Sequence, residues 1–365
     1  MLITRGDFID VWSKLKQRGK GFLISKLNPS KINRTKSAFN ESAISSANWW
    51  IIPAVQKRWN KMITGVDKMD YEDYLMDKFF ASTNALQLLS IGSGVSSHEI
   101  KLAKHNQLSK IVCTDLVQSL LEKAAINAKA QGLSNMHFVC GDINNTIPSD
   151  EKFDIIFFHA SLHHFYDIDT FIKGTVIPRL KPNGHIVINE YVGVNRLQFP
   201  KHQINAINQS LTLVPSALKK RYKSNVLKKK FYGSGLIRMI LADPSECVDA
   251  DQILPTLHKY CTVIEEKAYG GNILMNALKD IAHNFVHESI EVNQTLQMLF
   301  DFEDEYLKKN QSDFLFGVYQ IKSNYNSKPY LQFQNGYHQY EILDYLGIET
   351  IYDASKLIVN LVDER

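Results

Sequence analysis

The chain has 365 residues, of which 42 are Lys or Arg and 38 are Asp or Glu, so its formal net charge is only +4. This length can bury one large α/β domain with additions, or two domains. The small net charge excludes strong steering of a polyanion by net charge alone, although it permits local basic patches.

Residues 1–84 are predicted to form a basic N-terminal arm followed by a helical cap. Residues 1–37 are rich in Lys and Arg, and Met1–Gly21 is polar and charged with no apolar core segment, so we expect no secretory signal. The pattern becomes helical over 38–85, a stretch that holds three tryptophans. Aromatic residues at helical spacing are typical of core anchors.

No stretch of the chain reaches the roughly 20 apolar residues that a membrane-spanning helix needs. The four cysteines have no short paired spacing, and burial as reduced thiols is the simpler interpretation of them. These features predict a cytoplasmic protein without a membrane span.

A strand-like run, Leu86–Ile91, leads directly into Gly92-Ser93-Gly94, and Asp115 ends the next strand-like run. Two glycines after a buried strand let the backbone turn tightly and come close to a ligand. A carboxylate one strand later can accept hydrogen bonds from a ribose diol. The pattern predicts a nucleoside cofactor, either NAD or S-adenosylmethionine. Ser97 stands where a dinucleotide site prefers a third glycine or alanine, and S-adenosylmethionine has no phosphate that needs one.

Three more strands follow in the pattern. Met136–Cys140 ends in Gly141-Asp142, and Phe153–Phe158 is apolar enough for the centre of a sheet. The Leu-Lys-Pro-Asn-Gly run at 180–184 is expected to close a helix before a strand at Ile186–Ile188. Strands that alternate with helices predict a parallel sheet with right-handed crossovers.

These motifs together resemble the core of the class I S-adenosylmethionine-dependent methyltransferases. The resemblance implies S-adenosylmethionine as cofactor and a Rossmann-like α/β fold with a seven-stranded, mostly parallel sheet whose last strand is reversed. The methyltransferase domain would cover 85–325, with final strands near 261–268 and 314–321 and a helix at Leu274–Phe285. A helical lid insertion after strand 5 would occupy about 191–245. The sequence departs from the family at Ser96, where many members have a third glycine.

The resemblance also implies the residues of the cofactor site. Gly92, Ser93 and Gly94 would form the cofactor turn, Asp115 would bind the ribose, and Asp142 would bind the adenine amine. The other residues expected at the cofactor are Leu116, Ile143 and His159.

The catalytic candidates follow the fourth and fifth strands. His163 and His164 lie where the family commonly presents residues to the substrate, and Glu190 ends the fifth strand. The simpler alternatives are that the imidazoles only bind loop backbone and that Glu190 pairs with an arginine to fix the lid. We expect no metal site, because no clustered carboxylate or cysteine adjoins these histidines in the sequence.

Four further residues are expected to bind the acceptor: Tyr191, Arg196, Arg238 and Tyr269. Arg238 is the candidate for gripping an anionic group, since a guanidinium matches carboxylate or phosphate bidentately. The neighbouring Asp243-Pro244-Ser245-Glu246 run is typical of a helix start.

A second, narrower resemblance over roughly 45–325 is to bacterial methyltransferases of undefined substrate, many thought to act in surface-polysaccharide or secondary-metabolite pathways. It implies methyl transfer to an oxygen or nitrogen of a small molecule or glycan. The alternatives are an RNA or protein methyltransferase that uses the basic lid, a non-catalytic S-adenosylmethionine-binding subunit and, last, an oxidoreductase. Few aromatics accompany the lysines of 219–230, which disfavours nucleic acid. The tail at 326–365 is expected to be an appendage or a homodimer contact.

Overall fold

Seven strands form one sheet in the order β3-β2-β1-β4-β5-β7-β6. The structure is a computed structural model that describes residues 2–9, 11 and 48–322, so most of the predicted basic arm and the predicted appendage lie outside the described residues. The strands are β1 Leu86–Ile91, β2 Leu108–Asp115, β3 Met136–Cys140, β4 Phe153–His159, β5 Leu180–Tyr191, β6 Cys261–Gly270 and β7 Phe314–Ile321. Strands β1 to β5 pair in parallel, and β7 runs antiparallel to both β5 and β6. This is the predicted class I topology, with its one reversed strand.

Eleven α-helices lie within residues 48–322. They are α1 Pro53–Thr64, α2 Tyr71–Phe79, α3 Ser97–Leu102, α4 Gln118–Ala130, α5 Ile143–Thr146, α6 Ile168–Phe171, α7 Lys201–Leu213, α8 Leu236–Ala242, α9 Ile253–Tyr260, α10 Leu274–Leu278 and α11 Ile290–Leu307. No helix of the described part of the chain is both long and apolar enough to cross a membrane.

The unbroken apolar runs of the central strands are explained by burial of both sheet faces. Successive side chains of a strand point to opposite faces. Phe157 therefore packs with α2, α3 and α4, whereas Phe158 packs with α6 and α9 on the other face. A strand covered on both sides needs apolar residues on both of its faces, which is why residues 155–158 of β4 read Ile-Ile-Phe-Phe without a polar residue.

The helical segment that starts at Ile168 ends at Arg179 with Leu180 as its C-cap, so the 180–184 run closes a helix as predicted, although β5 already begins at Leu180. One local prediction is wrong. The helix expected at Leu274–Phe285 is broken: α10 ends at Leu278, and Asp280 has a left-handed φ of +68° before a 3-10 turn at Ala282–Phe285. Asp280 accepts a hydrogen bond from Arg221 at 2.6 Å, so a long-range ion pair forms at the break.

The insertion after β5 is less helical than expected. Its helices are α7 and α8, and between them a hairpin-like loop is closed by the Lys220–Leu227 bridge. Val214 and Leu218 of the insertion join an apolar cluster that also contains Trp49 and residues of α10 and α11. The insertion is thus packed on the N-terminal helices and on the segment between β6 and β7.

Truncation of Phe157 to alanine is expected to lower the free energy of unfolding by about 3–5 kcal/mol, since it leaves a cavity in a fully buried part of the sheet. Urea unfolding measures the loss. The matched control is Ile290→Ala, because Ile290 is 79% exposed and its truncation should change the free energy by less than about 0.5 kcal/mol. Equal losses in the two variants would contradict the assignment of the core.

Candidate active site

The turn after β1 is built from left-handed residues. Gly92 has a φ of +76° and Gly94 a φ of +54°, and Ser96, also at positive φ, is the N-cap of α3. A Cβ added to Gly92 would lie 2.7 Å from the Cβ of Ser161, so this position cannot hold a side chain. A Cβ on Gly94 would have no neighbour within 4 Å among the described residues, so the turn faces open space there. This is the geometry of a backbone that a ligand can approach closely.

Asp115 ends β2 beside this turn and is fixed by backbone groups. Its carboxylate accepts hydrogen bonds from the Gly94 N–H at 2.9 Å and from the Val117 N–H at 2.8 Å. A carboxylate has about four acceptor sites, and two such bonds hold it in one orientation. The residue predicted to bind the ribose is therefore coupled directly to the predicted cofactor turn.

Asp142 follows β3 at the same edge of the sheet. Its Oδ1 accepts the Asn144 N–H at 2.9 Å, which makes it the N-cap of α5. Ile143 is buried in the core, and Leu116 lies partly buried between Asp115 and α4. The fold thus brings the predicted cofactor residues of β1, β2 and β3 to one edge.

His159, at the end of β4, lies in a buried group of aromatic and acidic side chains. Its Nδ1 is 2.8 Å from the Tyr71 hydroxyl, and its ring stacks on His98 with centroids 3.5 Å apart. His98 Nδ1 in turn lies 2.6 Å from Glu72. Burial, and then the nearby Lys101, lowers the pKa of His98 to about 3, and burial followed by the field of His98 lowers the pKa of His159. Both imidazoles are neutral at physiological pH.

His163 and Glu190 form the central pair of the site. His163 Nδ1 lies 2.7 Å from Glu190 Oε2, and Glu190 Oε1 accepts the backbone N–H groups of Ser161 at 2.6 Å and Leu162 at 2.7 Å. Burial disfavours the imidazolium of His163, but the charge and hydrogen bond of Glu190 outweigh it, so the His163 pKa is raised. With Nδ1 donating to the carboxylate, Nε2 is the nitrogen that can accept a proton.

His164 faces the turn at 243–247 instead. Its Nδ1 lies 3.1 Å from the Ser245 hydroxyl, and burial, followed by the neighbouring His163, lowers its pKa to about 3. Asp243 Oδ1 accepts the Ser245 N–H at 2.9 Å, but no helix starts there, because the next 3-10 turn begins at Ala250. The run that resembled a helix start is a side-chain-stabilised turn beside the histidines.

Arg196 binds this turn rather than Glu190. It donates to the Pro244 carbonyl at 2.6 Å and to the Glu246 carbonyl at 3.2 Å. Glu190 does not pair with an arginine among the residues that the structure describes, because its hydrogen-bond partners there are His163 and two backbone amides.

We expected no metal site because no clustered carboxylate or cysteine adjoins the histidines in the sequence. In the folded protein, however, such residues do lie close to them. Ligand atoms of His163, Glu246 and Cys247 lie within 4.8 Å of one another, and so do those of His164, Asp243 and Glu246. These side chains already bond one another, however: the Cys247 thiol lies 3.3 Å from Glu246, and Ser245 joins His164 to Asp243. We interpret the group as a hydrogen-bonded network and assign no metal to it.

The predicted acceptor residues are placed in different ways. Tyr191 and Tyr269 are buried, and their hydroxyls bind the Val194 carbonyl at 3.0 Å and Asn189 at 2.5 Å. Their rings both pack on Phe314, next to His163. Arg238 pairs with Asp7 at 2.6 Å, so its guanidinium is held by the N-terminal segment.

Sequence reasoning did not single out Tyr71, His98 or Asp7. Tyr71 and His98 reach His159 from α2 and α3, and Asp7 reaches Arg238 across 231 residues. His98 could have been predicted to lie near His159. It stands at the start of α3, directly after the glycine turn, and in this fold that helix begins beside the end of β4.

Comparison with known proteins agrees with this geometry. Residues 82–268, about half of the chain, match the family described as methyltransferase domain. The uncharacterized methyltransferase YcgJ of Bacillus subtilis is 27% identical over 128 residues, which are 32% of this chain and 49% of that protein. The chain therefore spans about half the length of the curated relative that it matches.

Solved structures with a similar fold are distant in sequence. The YcgJ structure is 16% identical, with a TM-score of 0.37 over 69% of this chain and 96% of that one. An S-adenosylmethionine-dependent methyltransferase from Mesorhizobium loti is 12% identical, with a TM-score of 0.39 over 69% and 98%.

The family match covers β1 to β5 and most of β6, and the sheet order and the glycine turn are those of the class. The chain belongs to the methyltransferase domain family of class I S-adenosylmethionine-dependent enzymes, with S-adenosylmethionine as its cofactor.

Proposed function

We propose that this protein transfers a methyl group from S-adenosylmethionine to an oxygen or nitrogen of a small molecule or glycan. The observation that carries the proposal is the His163–Glu190 hydrogen bond of 2.7 Å at the edge of the sheet where the glycine turn lies. This hydrogen bond orients a base next to the cofactor site. A domain that only binds the cofactor does not need such a base.

The residues at the sheet edge fit the cofactor. The turn of Gly92, Ser93 and Gly94 gives room for the methionine part, Asp115 accepts hydrogen bonds from the ribose, and Asp142 accepts them from the adenine amine. When bound, S-adenosylmethionine supplies an electrophilic methyl group on a positively charged sulfur. The low pKa values of His98 and His159 suit this charge, because neutral imidazoles do not repel a cation.

His163 acts as the general base. Glu190 orients the ring through Nδ1, and Nε2 takes the proton of an acceptor hydroxyl as its oxygen becomes methylated, or takes a proton from an acceptor ammonium group before its nitrogen attacks the methyl group. The proton then passes from Nε2 to solvent. General bases of this kind contribute about 10²–10⁴-fold to rate, and positioning of the acceptor supplies much of the remainder.

The enclosure of the base supports a small acceptor. His163 is only 7% exposed, and the turn at 243–247 covers the adjoining His164. A folded protein or an RNA duplex cannot reach an imidazole that is this buried, whereas a small molecule or the end of a glycan chain can. The aromatic ring of Tyr191, which lies beside His163 and packs on Phe314, offers an apolar surface for such an acceptor.

Replacement of Asp115 by alanine is expected to weaken S-adenosylmethionine binding about ten- to a hundredfold. Hydrogen bonds to a charged acceptor contribute about 1.5–3 kcal/mol. Calorimetric titration measures the affinity, and thermal unfolding checks that the variant folds. Asp150→Ala, at an exposed aspartate, is the control. An unchanged affinity in Asp115→Ala would show that the ribose assignment is wrong.

His163→Ala is expected to lower the turnover of a hydroxyl acceptor by about 10²–10⁴-fold while S-adenosylmethionine affinity stays unchanged. The acceptor comes from a panel of small hydroxyl compounds, amines and glycans, scored by formation of S-adenosylhomocysteine. His137→Ala is the matched control, because His137 is exposed on β3. Full turnover in His163→Ala would remove the base from the proposal.

The pH dependence of kcat/KM tests the role of the His163–Glu190 pair independently of the His163→Ala variant. The His163 pKa is raised above 6.5, so kcat/KM with a hydroxyl acceptor should rise with pH through a midpoint above 6.5 as the ring loses its proton. Glu190→Gln removes the charge that raises this pKa, so its midpoint should move to lower pH. The free energy of unfolding should change with pH in the opposite direction to kcat/KM. The paired imidazolium stabilises the fold fully below pH 6.5, and this contribution is lost as pH rises through the folded pKa. A midpoint that is the same in both proteins would contradict the role of Glu190.

A further inference from the structure

Charge is strongly segregated along this chain. Between Glu190 and Asp243 there are ten Lys or Arg and not one Asp or Glu, although the whole chain has a net charge of only +4. This stretch is the insertion after β5, so the excess of positive charge lies on one structural unit.

Part of this charge is used inside the protein. Arg221 pairs with Asp280 at 2.6 Å, and Lys228 donates to the carbonyls of Asn276 at 2.5 Å and Lys279 at 2.6 Å, where α10 ends. Both side chains are buried. They anchor the two sides of the hairpin-like loop at 219–230, which we call the basic hairpin.

The rest of the charge on the basic hairpin faces outward. Lys220, Lys223, Lys229 and Lys230 are exposed, and none of them forms an ion pair with an acid in the part of the chain that the structure describes. Turn bonds hold the hairpin in shape, such as that from the Arg221 N–H to the Val226 carbonyl at 3.0 Å. The hairpin is therefore an anchored element that presents four ammonium groups without an acidic partner among the described residues.

Two apolar side chains lie among these lysines. Val226 is 44% exposed and Leu227 is 37% exposed, although nearby apolar residues such as Val214 are buried. Exposed apolar groups flanked by lysines are typical of segments that lie at the headgroup region of a membrane.

We propose that the basic hairpin docks this protein on an anionic phospholipid surface. Lysines near such a surface each add about 1 kcal/mol of attraction, roughly fivefold in partitioning, and Val226 and Leu227 enter the headgroup boundary. A single-stranded nucleic acid fits less well, because it needs aromatic rings for its bases. The Tyr222 ring is packed against the core and against His283, with centroids 5.2 Å apart.

The test is sedimentation of the full chain with vesicles of phosphatidylcholine alone and of phosphatidylcholine mixed with phosphatidylglycerol. The first variant carries K220Q, K223Q, K229Q and K230Q. Its matched control carries K68Q, K104Q, K123Q and K129Q, which removes the same charge from exposed lysines elsewhere. A second variant, V226S with L227S, keeps every charge.

We expect binding to the mixed vesicles at low salt and its loss as salt is raised. The hairpin variant should lose on the order of tenfold or more in partitioning, and the control should keep its binding. The serine variant should bind more weakly than the wild type at intermediate salt, where charge attraction is partly screened. S-adenosylmethionine affinity should stay the same in all four proteins, which separates this outcome from the proposed enzymatic function.

Three results would overturn the proposal. The first is no sedimentation of the wild-type protein with mixed vesicles at low salt. The second is an equal loss in the control, which would indicate general charge attraction rather than a hairpin site. The third is retention of single-stranded RNA without vesicle binding, which would make the hairpin a nucleic-acid site.

Discussion

Burial of the Glu190 carboxylate is the constraint on which the rest of the site depends. The side chain is fully buried, and a buried charge is tolerated only when hydrogen bonds or an opposite charge compensate it. Glu190 meets this requirement with two backbone amides and one imidazole, all from the loop after β4. The loop conformation, and with it the direction of the His163 ring, follows from satisfying one carboxylate.

The same loop also limits the cofactor turn. Ser161, whose amide binds Glu190, donates its hydroxyl to the Ile91 carbonyl at 2.7 Å, and a Cβ added to Gly92 would lie only 2.7 Å from the Ser161 Cβ. The glycine turn, the β4 loop and the end of β5 therefore form one packed unit. The proposed cofactor turn and the proposed base are held by the same contacts, so the spacing between these two segments is set by the sheet.

Local pattern accounts for what could be predicted. Strand periodicity, the two glycines and the strand-end carboxylates specify the sheet and the cofactor edge, because each is a property of a few adjacent residues. The partners could not be predicted in the same way. Glu190 and His163 are 27 residues apart, and Arg238 and Asp7 are 231 apart, so the pairing depends on how the loops pack. The prediction of one unbroken helix over Leu274–Phe285 failed for the same reason. The break at Asp280 involves an ion pair with the distant Arg221, which the local pattern does not show.

The arrangement also separates two electrostatic environments on one insertion. Toward the sheet, the turn at 243–247 encloses the histidines with acidic and polar groups, whereas every charged residue of the basic hairpin is a lysine or an arginine. A net charge of +4 hides this contrast. The distribution of charge over structural units is therefore more informative about partners than the total.

The most direct test of the account is calorimetric titration of the wild-type protein with S-adenosylmethionine, S-adenosylhomocysteine and NAD in parallel. The glycine turn with Asp115 and Asp142 predicts micromolar binding of both adenosyl compounds, about −8 kcal/mol, and no binding of NAD. Binding of NAD with no binding of the adenosyl compounds would contradict the assignment of this edge as a methyl-donor site.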